Sequence, residues 1–442
     1  MRVILFTGKG GVGKTTTAAA TAVRAARASV KTLVMSTDAA HSLGDALAVE
    51  LAGAGSPVEV EPGLSALQVS PPQLLGESWR VVQDYLLSVL GTVGIDTVVA
   101  EELTRLPGAE EIAAVLELRA QVESGPWDLV VVDCAPTAET LRLLALPEAL
   151  AWHLERLLPA QRGLIRSLRP AAAVAAGVPL PDPAVLEAVT GWHSDMRAVH
   201  RLLTGDQASV RLVLTPERVV IAESRRTWTS LSLYGFVVDG VIVNRVFPDA
   251  AAGVGGAAQE APDAWRSGWN VAQRAGLVEV RESFAGLPVS VTPYLSQEPI
   301  GVEALAELAR AQDVDAESLG PADGNRHRPP DRHPDQQADR HANGRGDAQN
   351  LREVLLAPVR HHGLSVERTT YGFLLTLPLP LAHASDLALQ RRGDELLVAV
   401  GEHRRVLTLP AALQRCVVEG ASVRDGQLRV RFAPDEEVWP RG

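Results

Sequence analysis

Thr7-Gly8-Lys9-Gly10-Gly11-Val12-Gly13-Lys14-Thr15-Thr16 decides the fold of this 442-residue chain. Just before it, Arg2 to Phe6 (RVILF) is short, apolar and β-branched, as a buried parallel strand is. Just after it, Thr17 to Ser29 is Ala-rich and free of Gly and Pro, which favours a helix. Strand, glycine loop and helix in that order are the setting in which G-x-x-x-x-G-K-[ST] carries meaning. The reading that follows is an α/β fold, a parallel sheet with helices on both faces.

The loop has a phosphate-binding chemistry. Without Cβ atoms, Gly8, Gly10, Gly11 and Gly13 let successive backbone N–H groups converge on phosphate oxygens. The helix then starts at the anion and adds its own unpaired N–H groups. Lys14 is placed to reach the β- and γ-phosphates of ATP, and the Thr15 hydroxyl to hold Mg²⁺. Val12 and Thr16 complete the cradle. Only Lys9, Lys14 and Lys31 are lysines; the other 39 basic residues are arginines. Two of three ammonium groups therefore sit in one six-residue stretch, where a compact charge suits a phosphate better than a planar guanidinium.

Lys31 to Ser36 (KTLVMS) reads as the second strand and delivers Asp38 to the sheet's carboxyl edge, where α/β proteins bind ligands. Asp38 is the candidate for orienting an attacking water. Trp127 to Asp133 (WDLVVVD) reads as a buried strand ending in an acid, so Asp133 is placed to contact a magnesium-bound water.

The loop K-G-G-x-G-K-T-T, the segment Ser36-Thr37-Asp38-Ala39-Ala40-His41-Ser42-Leu43-Gly44-Asp45 and the segment Asp133-Cys134-Ala135-Pro136-Thr137-Ala138-Glu139-Thr140-Leu141-Arg142 occur in this order. With them the sequence resembles the ArsA family of deviant P-loop ATPases over roughly residues 1–312. That family includes arsenite-pump ATPases and the ATPases that guide tail-anchored membrane proteins. The resemblance implies a homodimer in which Lys9 reaches the partner's nucleotide. It also implies switch roles for His41, Asp45, Pro136 and Thr137. Glu217 and Asn244 would contact the nucleoside, and Pro293 to Pro299, with Pro293 and Leu295, would pack on adenine. Ala39 replaces the family's usual proline, and Ala138-Glu139 its usual Gly-His, so a switch-II histidine is not expected.

A formal charge of −11 argues against non-specific binding to nucleic acid or an anionic membrane surface. Two cysteines, Cys134 and Cys416, build no disulfide framework and fit a reducing cytosol. No apolar run approaches the ~20 residues that span a bilayer, and the glycine loop begins too early for a secretory signal. The expectation is a cytoplasmic protein.

The first domain is expected over residues 1–315, with a helical insertion at about 148–205. There Leu150, Leu154, Leu157 and Leu158 form one apolar stripe, and Val185, Leu186, Val189, Trp192, Met196, Val199, Leu202 and Leu203 a second. In the family such helices face the substrate; equally, both stripes could pack on the domain. Residues 316–350 are polar and charge-balanced, as a flexible linker is. Residues 351–433 read as an all-β sandwich whose LLVAVGEHRRVLTLP and LRVRF resemble the α-crystallin-like (small heat-shock) domain of some ArsA-family ATPases.

The function expected is a homodimeric ATP–Mg²⁺ hydrolase whose nucleotide state gates an apolar client surface. The alternative is a nucleotide-stabilised holdase whose β-domain binds clients. An arsenite-pump role fits less well, because a soft metalloid wants several thiolates.

Overall fold

The computed structural model describes residues 1–38, 42–51, 56–69, 81–85, 87, 88, 91, 109–134, 182–248, 264–314, 344–359 and 363–435. The first fold unit carries strands β1 (Arg2–Thr7), β2 (Thr32–Ser36), β3 (Val58–Glu61), β4 (Leu64–Gln68), β5 (Leu129–Asp133), β6 (Ala208–Leu214), β7 (Val238–Val246), β8 (Val289–Pro293) and β9 (Asp313–Val314). They form one sheet in the order β3-β4-β2-β5-β1-β6-β7-β8-β9. From β4 to β8 neighbours pair in parallel; β3 and β9 are antiparallel edges.

Every residue of β1, β2 and β5 is buried. That is why these strands read as unbroken apolar runs: helices cover both faces. The described helices here are α1 (Lys14–Arg27), α2 (Ser42–Leu47), α3 (Ala109–Ser124), α4 (Pro183–Leu203), α5 (Arg218–Leu233), α6 (Ala264–Ser283) and α7 (Val302–Ala311). Ala18, Ala19, Ala22 and Ala25 of α1 are all buried, and their small size lets the helix lie close to the sheet. The chain leaves β1, β2, β5, β7 and β8 at the same carboxyl edge, which gathers the candidate residues of five segments.

Helix α4 settles how its stripe is used along the described part of the insertion. Met196, Val199 and Leu203 are buried in the main core, so this half of the stripe packs on the domain. The first stripe, at residues 150–158, lies outside the described residues, as do 316–343 of the expected linker.

Helix α8 (Gly344–Leu356) crosses the junction expected at 350/351. Leu355 is buried in the first unit's core and Leu351 and Leu356 pack against it, so the helix docks there rather than opening the β-domain. The 344–350 half is polar and lacks the apolar repeat that would have announced a helix.

The C-terminal unit is all antiparallel: β10 (Ser365–Thr369), β11 (Gly372–Pro378), β12 (Leu387–Arg392), β13 (Glu395–Val400), β14 (His403–Thr408), β15 (Cys416–Arg424) and β16 (Gln427–Pro434), with the short helix α9 (Ala411–Gln414). One sheet runs β10-β11-β16-β15 and the other β12-β13-β14. Leu428, Val430 and Phe432 alternate inward on β16, against Leu375 and Leu377 of β11 and Leu396 and Val398 of β13. Among the described residues, no helix is long and apolar enough to cross a membrane.

Candidate active site

Gly13 caps α1 with a left-handed backbone, φ 91°. A Cβ there would also run into the amide nitrogen of Asn244, so both conformation and space require glycine. The Gly13 carbonyl already accepts from Thr17 N at 3.0 Å, while the first N–H groups of α1 have no intrahelical acceptor. They form an anion-binding end.

Lys14 is 7% exposed, and its Nζ donates to the Lys9 carbonyl at 3.3 Å. A buried ammonium with one backbone acceptor suits an anionic ligand. Thr15 Oγ1 donates to Asp133 Oδ2 at 2.7 Å and lies 3.2 Å from Ser42 Oγ. Ser36 Oγ donates to the same Oδ2 at 3.1 Å. Asp133 Oδ1 is buried with no hydrogen-bond partner among the described residues.

Burial pushes the Asp133 carboxyl up to about 6, and the nearby Asp38 carboxylate adds to this; the Thr15 and Ser36 hydroxyls and the Lys14 ammonium oppose it. A buried carboxylate with an idle oxygen beside a threonine hydroxyl is a hard-oxygen donor set that fits Mg²⁺ and its waters. The chemistry of the residues present therefore suits a magnesium polyphosphate.

Asp38 follows β2 by two residues. Its backbone N donates to Ser36 Oγ at 3.2 Å, and Gln68 Nε2 donates to its carbonyl at 2.8 Å. Thr37 N donates to the Asp133 carbonyl at 3.0 Å, so the ends of β2 and β5 bring the two acids together. Asp45 sits in the first turn of α2. His41, Pro136 and Thr137 lie outside the described residues.

On the far side of the loop, Asn244 is engaged at both ends of its amide. Nδ2 donates to the Val12 carbonyl at 2.9 Å, and Oδ1 accepts from Arg245 N at 2.9 Å. Asn244 thus braces the glycine loop. Arg245 is left-handed at φ 59°, held there by buried Gln273, whose Nε2 donates to its carbonyl at 3.0 Å. Glu217 precedes α5 and accepts from the Thr215 hydroxyl.

Two cavities flank this brace. One, of about 370 Å³, is bounded by Gly13, Thr16, Asn244, Pro293 and Leu295. The other, of about 340 Å³, is bounded by Lys9, Gly10, Gly11, Val12, Glu217 and Trp265. Tyr294 and Arg245 line both. The structure thereby gathers every expected site residue from Gly8 to Thr16 with Asp38, Asp133, Glu217, Asn244, Pro293 and Leu295 at one edge.

Three further residues carry no role in the sequence reading: Ser42, Phe247 and Trp265. Ser42 approaches Thr15. Phe247 stacks on Tyr294 with ring centroids 5.4 Å apart, and Trp265 meets Phe247 edge-on at 6.2 Å. These aromatics come from three separate segments, so no local pattern announces them.

Comparison with known proteins gives the chain's relatives. The anion-transporting ATPase (ArsA) pattern matches residues 1–312, and an HSP20-like domain found in ArsA matches 370–432. The chain is 37% identical to a protein of Streptomyces coelicolor across all of both chains. It is 33% identical to a putative arsenical pump-driving ATPase of Prosthecochloris vibrioformis, over 98% of this chain and 96% of that one. It is 29% identical to an ATPase ASNA1 homolog of Trypanosoma cruzi, over 73% of this chain and 92% of the other.

Proposed function

Because the chain belongs to the ArsA family of anion-transporting ATPases and is an ATPase, we propose that it hydrolyses ATP with magnesium as a homodimer whose nucleotide state gates an apolar surface for a protein client. The observation that carries this reading is the Thr15–Asp133 contact at 2.7 Å with Asp133 Oδ1 left idle. It lies beside the buried Lys14 and the open end of α1.

In this reading the N–H groups of the loop and α1 hold the phosphates, and Lys14 balances charge on the transferring group. Thr15, and Asp133 through a bound water, would hold magnesium, which would supply charge neutralisation at the phosphates. Asp38 orients the attacking water. Lys9, on the exposed side of the loop, serves the partner's nucleotide, so a lone protomer is incomplete. Asp45, with His41, Pro136 and Thr137, relays the γ-phosphate state. Glu217 and the Pro293–Leu295 stretch hold the nucleoside.

A targeting or chaperone role is supported by likeness to the ASNA1 homolog and by the HSP20-like unit. The same unit favours the second reading, a holdase in which that unit binds the client. Arsenite as cargo is less well supported. Cys134 and Cys416 are free, buried and members of different cores, and burial pushes the Cys134 thiol up to about 12.

The test is ATP turnover against protein concentration, with Asp38→Asn and Lys9→Ala beside wild type. Upward curvature and loss of turnover in both variants, with nucleotide still bound, are the expected results. Turnover linear in concentration and undiminished in Lys9→Ala removes the dimer from the mechanism. What co-purifies with ATP-loaded Asp38→Asn identifies the client. Protection of an aggregating substrate by the full chain without ATP favours the holdase.

A further inference from the structure

We infer that the opposite end of α1 borders a second binding site, for a small organic anion whose phosphate or carboxylate head meets Arg24 and Arg211, with the charge of Arg2 behind them, and whose apolar body lies on α8. This inference does not rest on the nucleotide reading. Arg24 is ten residues along α1 from Lys14, roughly 15 Å of helix, so the two sites are distinct.

A cavity of about 890 Å³ lies there, and among the described residues the three arginines share it with a single acid, Asp239. Asp239 is already divided between two of them, with Oδ2 3.2 Å from Arg2 and Oδ1 3.3 Å from Arg211. Arg24 has no carboxylate partner among the described residues. Its neighbour Arg27 has two, Glu61 at 3.2 Å and Glu303 at 2.6 Å. Guanidinium groups do not discharge by losing a proton at any working pH, so the described lining carries an excess of two positive charges.

The excess is partly out of water. Arg2 is 4% exposed, and its terminal N–H groups already donate to the Val3 and Gln207 carbonyls, Ser209 Oγ and Asp239 Oδ2, so it lends the cavity charge rather than a free donor. Desolvation depresses the pKa of Arg2 and Arg24; Asp239 offsets part of this at Arg2, and Arg211 adds repulsion to each. An anion relieves both costs.

The rest of the wall indicates what the anion carries. Gln312 and Asn350 offer neutral amides, while Leu351, Val354 and Pro358 are apolar. Val354 is 63% exposed, which leaves most of an aliphatic side chain bare on the cavity wall. A bare inorganic ion would leave that wall wet; an anion with an aliphatic tail would cover it. The volume falls in the ordinary range for small-molecule pockets.

The test is calorimetric titration of the full chain with octyl phosphate and, separately, with inorganic phosphate. Octyl phosphate should bind the more tightly. Arg24→Ala should weaken it by roughly tenfold or more, the factor that goes with one charge-assisted hydrogen bond. Arg24→Lys should recover part of the loss, and Val354→Ser should weaken octyl phosphate but not inorganic phosphate. Arg24 and Val354 are at the surface of their helices, and circular dichroism checks that the variants remain folded. Equal binding by wild type and Arg24→Ala would place the anion at another site, such as the glycine loop, and overturn the inference. So would no binding to wild type, the result if carboxylates of the chain itself neutralise these arginines. Equal affinity for the two phosphates overturns the apolar part.

Discussion

Lys9 Nζ and Glu223 Oε2 stand 3.0 Å apart, which ties the glycine loop to α5. The same helix reaches the β-domain at its other end. Leu233 is fully buried among the leucines of that domain's core. Thr229 Oγ1 donates to the Pro380 carbonyl at 2.6 Å, and Arg405 donates to the Leu233 carbonyl at 2.7 Å. One rigid element thus touches the nucleotide loop and the C-terminal sandwich.

If Lys9 serves a partner's nucleotide, the ion pair with Glu223 competes with that task. Glu223→Gln should free the ammonium and shift the turnover-versus-concentration curve to lower protein concentration. Both side chains are about a third or more exposed, so the pair is worth at most ~1 kcal/mol and the shift at most about fivefold. A curve moved to higher concentration would mean that Glu223 holds Lys9 in its working position.

Leu233→Asp should undock the β-domain. It puts a carboxylate into an apolar core and removes a side chain whose truncation alone costs about 2–5 kcal/mol. Limited proteolysis should then cut between the two units far faster than in wild type. Unchanged protection would show that the contact is not maintained in solution.

Asp133 predicts an opposition between stability and activity. Its folded pKa is raised from the ordinary 3.8 to about 6. Its protonated form is therefore favoured by folding, and the contribution is fully present below about pH 4. It is lost as pH rises through about 6, leaving a buried charge above that. Asp133→Asn removes the charge while keeping an oxygen for Thr15 and Ser36. Without nucleotide and metal the variant should be more stable at pH 8 by an amount on the order of 3 kcal/mol, and the gain should vanish near pH 4. Denaturant midpoints in chelator at the two pH values measure it. The variant should also lose magnesium-dependent turnover; a destabilised variant at pH 8 would contradict the burial argument.

Much of this site was readable because its signals are local. The glycine loop, the WDLVVVD strand and the Asp38 segment each announce themselves within ten residues, and the structure sets them side by side at one sheet edge. The unreadable parts depend on distant partners. Asn244 reads as a strand-end amide, and only the β1–β6–β7 order brings it under Val12. The aromatics beside Tyr294 converge from three segments. Helix α8 was missed because its first turns are polar and only Leu351, Leu355 and Leu356 dock. Strands β10, β12 and β15 face water along much of their length, and on β15 even Val417 and Val418 are exposed, so little apolar alternation marks them.

The bracing of the loop by Asn244 separates two roles that the residue could have. A base-reading amide would discriminate ATP from GTP, since adenine and guanine present opposite donors and acceptors. A brace would weaken both nucleotides alike. Asn244→Asp keeps the acceptor for Arg245 N but loses the donor to the Val12 carbonyl, leaving a buried carbonyl unsatisfied at a cost of about 1–3 kcal/mol. The expected outcome is a lower melting temperature and affinities for ATP and GTP reduced by a similar factor, as measured by calorimetry. A changed ATP-to-GTP ratio with an intact melting temperature would instead assign the amide to the purine edge.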